Sequence, residues 1–204
     1  TFDDLNNKEH FADFLINYNP INFPHIKYNF KLNKKNKSNF LIHPKYNILS
    51  KEKIKKNFIF KKNNFYVTFY IGGGGDLKIL YKIILNLVKN NNTPTHVKFI
   101  VILGPVAKNK KKIIHLSTKY KSVKIYNNQM NLYYVIKNSN IFFGTSGTAT
   151  FETAFLKTSS ILFKASANQN TNIFALENLG HYLFLDYKHV KLNKKICDLL
   201  ISII

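Results

Sequence analysis

From Phe65 onward, short apolar runs alternate with stretches whose apolar residues recur every three or four positions. Phe65 to Ile71 reads as a strand. Leu77, Leu80, Tyr81, Ile84, Leu87 and Val88 follow at helical spacing, with Asp76 in place as an N-cap. Val97 to Leu103 is almost continuously apolar, the mark of a strand buried on both faces. The same rhythm predicts a helix near 109–120, a strand at 123–126, a helix near 130–138 and a strand at 140–144. Further elements are expected at 149–157, 160–164, 169–179 and 182–185. A last helix over 190–203 carries Ile196, Leu199, Leu200 and Ile203. Such alternation predicts an α/β fold: a parallel sheet with helices on both faces, binding its ligand beyond the carboxyl ends of the strands.

The first sixty residues do not share this rhythm. Phe14 to Asn17 and Phe40 to Ile42 read as strands and 50–56 as a short helix, while 29–39 is a Lys/Asn-rich loop. Residues 1–60 are therefore read as the tail of a preceding domain and a crossover, and 61–204 as the α/β domain. The chain opens on Thr1 rather than Met, so the natural N-terminus is expected upstream.

Two loops at strand-to-helix turns carry the candidate chemistry. Gly72, Gly73, Gly74, Gly75 and Asp76 follow the first strand. They read either as a tight turn, where glycine supplies positive φ, or as a backbone cradle for phosphate. The spacing is neither a Walker loop nor the dinucleotide fingerprint. The second loop, Gly144-Thr145-Ser146-Gly147-Thr148, opens a helix holding one acid, Glu152. Ser146 or Thr148 is expected to cap that helix, and the bare N–H groups and hydroxyls suit a diphosphate. Glu152 either complements the positive helix end or accepts hydrogen bonds from sugar hydroxyls. Asn168 and Gln169 open a further helix, and Lys164 ends a strand as either a cation near phosphate or a solvated tip. Ser146 is not read as a hydrolase nucleophile, because the segment lacks a Gly-x-Ser-x-Gly elbow.

Composition changes the picture in two places. The chain has 204 residues and a formal net charge of +21, yet no Arg and no Trp. Arginine's flat fork favours phosphate and base-edge recognition, so the lysines are read as a solvated surface that attracts anions, not as a nucleic-acid groove. A single cysteine, Cys197, allows no internal disulfide and fits a buried thiol in a reducing cytoplasm. The histidines show no metal-ligand spacing, and neither a metal nor an organic cofactor is expected. No apolar run approaches the roughly 18 to 20 residues that span a bilayer, and no signal-peptide pattern opens the chain.

The ordered set Phe2-Asp3-Asp4-Leu5, Ala12-Asp13-Phe14-Leu15-Ile16-Asn17, His43-Pro44-Lys45-Tyr46-Asn47-Ile48-Leu49, Gly72 to Asp76, Gly144 to Glu152 and Asn168-Gln169 resembles the UDP-sugar hydrolases of the pseudaminic acid pathway and the related spore-coat polysaccharide proteins. Their wider relatives are glycosyltransferases of the MurG type. The resemblance implies the Rossmann-like C-terminal domain of a GT-B-type fold, with UDP bound there and substrate in an interdomain cleft. It assigns Glu152 to the ribose, Asn168 to the diphosphate or the attacking water, and Gln169 to the nucleotide. The matching reaction removes UDP from UDP-2,4-diacetamido-2,4,6-trideoxy-altrose with water as acceptor. The family's N-terminal Gly-x-Gly-His-type loop is not found in this sequence, so the missing N-terminal domain is the expected partner. A UDP-sugar-dependent glycosyltransferase and a non-catalytic nucleotide-sugar binding fragment are the competing readings.

Overall fold

The computed structural model describes residues 2, 12–17, 39–42, 46, 60–127, 132–164, 182–185 and 193–204. Two short strands, β1 (Phe14–Asn17) and β2 (Asn39–Ile42), pair in parallel, and Phe2 makes an isolated parallel bridge to Ile16. The main sheet has six parallel strands: β3 (Phe65–Tyr70), β4 (Val97–Leu103), β5 (Val123–Asn127), β6 (Ile141–Thr145), β7 (Ser159–Phe163) and β8 (Tyr182–Leu185). The helices are α1 (Lys78–Lys89), α2 (Lys110–Lys119), α3 (Leu132–Lys137), α4 (Thr148–Phe155) and α5 (Asn193–Ile203). The expected helices over 50–56 and 169–179 lie outside the described residues.

Across the sheet the order is β5-β4-β3-β6-β7-β8. The chain starts this sheet near its middle at β3, winds outward through β4 and β5, then returns beside β3 as β6 and winds the other way. This is the strand order of doubly wound nucleotide-binding sheets, and the reversal falls between β3 and β6.

Alternation along the strands divides the core. Val67, Phe69, Phe99, Val101, Phe143 and Phe163 face α1, α2 and α5. Helix α1 meets them with Leu80, Ile83, Ile84 and Leu87, the one-faced stripe its sequence spacing demands. On the opposite side, Tyr66, Ile100, Ile102 and Tyr126 pack against Val135, and Phe142 and Leu162 against Ile136 and Ala149. Phenylalanines form a row across four strands: Phe99 to Phe69 at 6.2 Å, Phe69 to Phe143 at 5.5 Å and Phe143 to Phe163 at 5.5 Å. Cys197 is buried in this core as a free thiol, and burial pushes it up to about 11. Among the described residues, no helix is long and apolar enough to cross a membrane.

The β3–β6 seam joins segments more than seventy residues apart. Its register runs from Val67 opposite Ile141 to Tyr70 opposite Gly144. At its lower end the Tyr66 N–H donates to Asn140 Oδ1 at 2.8 Å, and the Asn140 N–H returns a bond to the Tyr66 carbonyl at 2.9 Å. Phe143 sits at the centre of the aromatic row and is fully buried. Truncating it with Phe143→Ala is expected to cost about 3–5 kcal/mol in denaturant unfolding. A loss below about 1 kcal/mol would mean that the row does not hold the seam.

Candidate functional site

Because β3 and β6 are neighbours, the loops that leave their carboxyl ends are neighbours too. A Cβ built on Gly72 would lie 3.9 Å from Thr145 Oγ1. Gly72 has φ +80°, the left-handed region where a side chain is strained, so the turn out of β3 requires glycine there.

Beyond β3 the glycine loop runs alongside the β4–α2 loop. The Val106 N–H donates to the Gly73 carbonyl at 3.0 Å and the Lys108 N–H to the Gly75 carbonyl at 3.0 Å. The Leu77 N–H donates to the Lys108 carbonyl at 3.1 Å. Asp76 Oδ1 accepts from the Lys78 N–H at 2.9 Å and from Asn109 Nδ2 at 2.6 Å. Helix α1 thus starts one residue later than expected: Leu77 takes the cap position, and Asp76 serves the first turn from one residue further out. These two bonds, the Lys78 N–H first and the Asn109 side chain second, hold the Asp76 carboxyl below its ordinary value.

The second loop departs from expectation. Neither Ser146 nor Thr148 caps α4; Gly147 holds the cap position and no side chain bonds the helix end. The Ser146 N–H continues the sheet ladder to the Phe163 carbonyl at 3.1 Å, which turns its side chain into the interior instead of along the helix axis. Gly147 donates back to Thr145, and the Thr150 N–H to Gly147. Among the described residues nothing accepts from the Thr148 or Ala149 N–H, so the first turn of α4 keeps open donors.

Three buried oxygens here have no hydrogen-bond partner among the described residues: Ser146 Oγ, Thr150 Oγ1 and Glu152 Oε2. Ser146 and Thr150 are each 1% exposed. A buried polar atom left unpaired costs about 1–3 kcal/mol, so three within one strand-turn-helix unit make this part of the sheet edge the candidate site. Burial also pushes the Glu152 carboxyl above its ordinary value. The Tyr70 hydroxyl is raised by burial first and by the charge of Glu152 second, and its ring packs against the cluster that holds Phe142 and Ala149.

Helix α4 is fixed from below. Tyr182 on β8 donates from its hydroxyl to the Thr150 carbonyl at 2.7 Å, and Thr153 Oγ1 donates to the same carbonyl at 2.8 Å. Its far end closes through Lys157 in a left-handed conformation, φ 56°.

Of the residues singled out from sequence, Gly72, Gly73, Gly74, Gly75, Thr145, Ser146, Gly147, Thr148 and Glu152 gather around the reversal point. Asn168 and Gln169 lie outside the described residues, and Lys164 follows β7 half-buried. Sequence reasoning missed the β4–α2 loop and Tyr70. The signal was available: Gly104-Pro105 ends a strand at the same edge of the sheet as the other two loops. A separate cavity of about 300 Å³, lined by residues such as Ile141, Ser159 and Tyr182, lies at the amino ends of β6 to β8, away from these loops. Among the described residues no group of three His, Cys, Asp or Glu side chains is placed to hold a metal.

No protein-family model and no curated protein matches the chain. Solved structures do resemble it. The glycotransferase of kitacinnamycin aligns with a TM-score of 0.52 at 13% identity, over 76% of this chain and 38% of that one. The spinosyn rhamnosyltransferase SpnG complexed with thymidine diphosphate aligns with a TM-score of 0.48 at 12% identity, over 68% of this chain and 36% of that one. This chain therefore spans well under half the length of either. Its fold is the Rossmann-like α/β fold of GT-B glycosyltransferases.

The buried Glu152 makes a signed prediction. Its carboxyl binds a proton more tightly in the folded than in the unfolded chain, so the ionised form costs stability above the folded pKa. That cost is relieved as pH falls through the folded value toward the unfolded one. Glu152→Gln is expected to raise Tm at neutral pH, with the gain vanishing in acid below about pH 4. Thermal melts across pH check this, and an unchanged or lower Tm at neutral pH contradicts it.

Proposed function

We propose that this chain is the nucleotide-binding half of an enzyme that acts on a UDP-sugar, and that the reaction is hydrolysis. The observation that carries the reading is the set of buried oxygens on Ser146, Thr150 and Glu152 that have no partner among the described residues, on the unit that follows the strand beside β3. The site is chemically two-ended. Open backbone N–H groups and hydroxyls suit a pyrophosphate, and the positive end of α4 favours its charge. A carboxylate repels phosphate but accepts from vicinal hydroxyls, so Glu152 suits the ribose. The lysine-rich surface adds a field that draws in such anions.

In this reading the bond between the anomeric carbon and the β-phosphate oxygen breaks, and its electron pair leaves with UDP. Donors from Gly72 to Gly75 and from Thr145 to Thr148 stabilise that departing charge. A water oxygen bonds to the anomeric carbon, and its proton goes to a base outside the described residues. Asn168 is proposed to orient this water and Gln169 to contact the nucleotide. The sugar is proposed to be of the 2,4-diacetamido-2,4,6-trideoxy-altrose type, in nonulosonic acid and surface-glycan biosynthesis, with an N-terminal domain contributing the rest of the cleft. No cofactor is required, and a cytoplasmic setting fits a nucleotide-sugar substrate. A second reading, glycosyl transfer to a sugar or lipid acceptor, is favoured by the fold shared with the glycotransferase of kitacinnamycin.

Calorimetry is expected to show UDP binding more tightly than UMP or ADP, the first for lack of a second phosphate and the second for its base. Glu152→Ala is expected to weaken UDP binding by about 1–3 kcal/mol through lost charge-assisted hydrogen bonds. Equal affinity for all three nucleotides, or no effect of the substitution, overturns the UDP assignment.

A further inference from the structure

We propose that the β4–α2 loop, Gly104 to Asn109, is a splint that decides which amides the glycine loop offers, and that the Gly74 and Asp76 N–H groups are the ones presented to an anion. The inference rests on the nucleotide reading above and assigns the donor atoms and the residues that aim them.

In a trans peptide the C=O and the following N–H point in opposite directions, and no cis bond is present among the described residues. The Gly73 carbonyl is held by the Val106 N–H, so the Gly74 N–H points away from the β4–α2 loop. The Gly75 carbonyl is held by the Lys108 N–H, so the Asp76 N–H points away as well. The loop bends at Gly73 and Gly74, and its Gly73 and Gly75 carbonyls are held on the β4–α2 side while the two N–H groups that follow them point the other way. Among the described residues nothing accepts from the Gly74 or Asp76 N–H.

Two residues make the splint possible. A Cβ on Gly104 would collide with the Gly72 and Gly73 carbonyl oxygens, so only glycine lets the two loops approach this closely. Asn109 holds a left-handed conformation, φ 62°, and its side-chain amide reaches Asp76 Oδ1 at 2.6 Å. That bond from the splint and the bond from the Lys78 N–H of α1 both engage Asp76 Oδ1, so one residue offers its N–H to an anion while its charge is bound elsewhere.

The test is a titration of the ¹⁵N-labelled full chain with UDP, followed by amide proton shifts, on the native sequence and on Asn109→Gly. Glycine tolerates the left-handed backbone, so this variant removes the Asp76 contact without adding strain. The native chain is expected to show downfield shifts at Gly74 and Asp76 that exceed those at Gly73 and Gly75. In Asn109→Gly those two shifts shrink and the Kd for UDP rises at least about threefold, while Thr148 and Ala149 still respond. Larger responses at Gly73 or Gly75, responses confined to Thr148 and Ala149, or native behaviour of the variant would each overturn the splint while leaving the nucleotide reading standing. Absence of any response to saturating UDP overturns both.

Discussion

The pairing of β3 with β6 is the constraint on which the rest of this molecule depends. Neither the glycine run nor the hydroxyl-rich turn is a site alone, because a single helix end or a single glycine loop occurs in many proteins for reasons of local geometry. They are brought side by side because Val67 to Tyr70 lie in register with Ile141 to Gly144. The pairing is secured by buried aromatic contacts and by the reciprocal Tyr66–Asn140 bonds at its base. Long-range parallel pairing of this kind has no local turn to fix it, so hydrophobic contact across the seam has to set the register.

Much of this architecture could be read from residue order. Val97 to Leu103 coincides with β4, and the apolar stripe of α1 falls where its spacing puts it, because period and burial are local properties. The strand order is not local. Nothing in the spacing of Phe69, Phe99, Phe143 and Phe163 reveals that their rings form a row, since that depends on where the chain reverses. The caps were misread for a related reason. Ser146 has the chemistry of an N-cap, but its N–H is drawn into the β6–β7 ladder, and the backbone direction this imposes buries the hydroxyl. Gly104-Pro105 marks a strand-ending turn in the sequence, but its place against the glycine loop follows only once β4 is known to lie beside β3.

Function and stability pull against each other at α4. Burying Ser146 Oγ, Thr150 Oγ1 and Glu152 Oε2 without a partner among the described residues costs stability, and burial alone raises the Glu152 carboxyl above its ordinary value. Tyr182 and Thr153 offset part of it by converging on the Thr150 carbonyl, which fixes the helix whose open end would receive a ligand. Helix α4 is thus held from behind by Tyr182 and Thr153, while among the described residues the donors of its first turn stay open.

A crystal structure of the chain with UDP bound tests the central claim most directly. The pyrophosphate is expected between the Gly72–Asp76 and Thr145–Thr148 loops, with the ribose hydroxyls on Glu152. A nucleotide seated at the amino ends of the strands, or touching one loop while the other faces solvent, would contradict it.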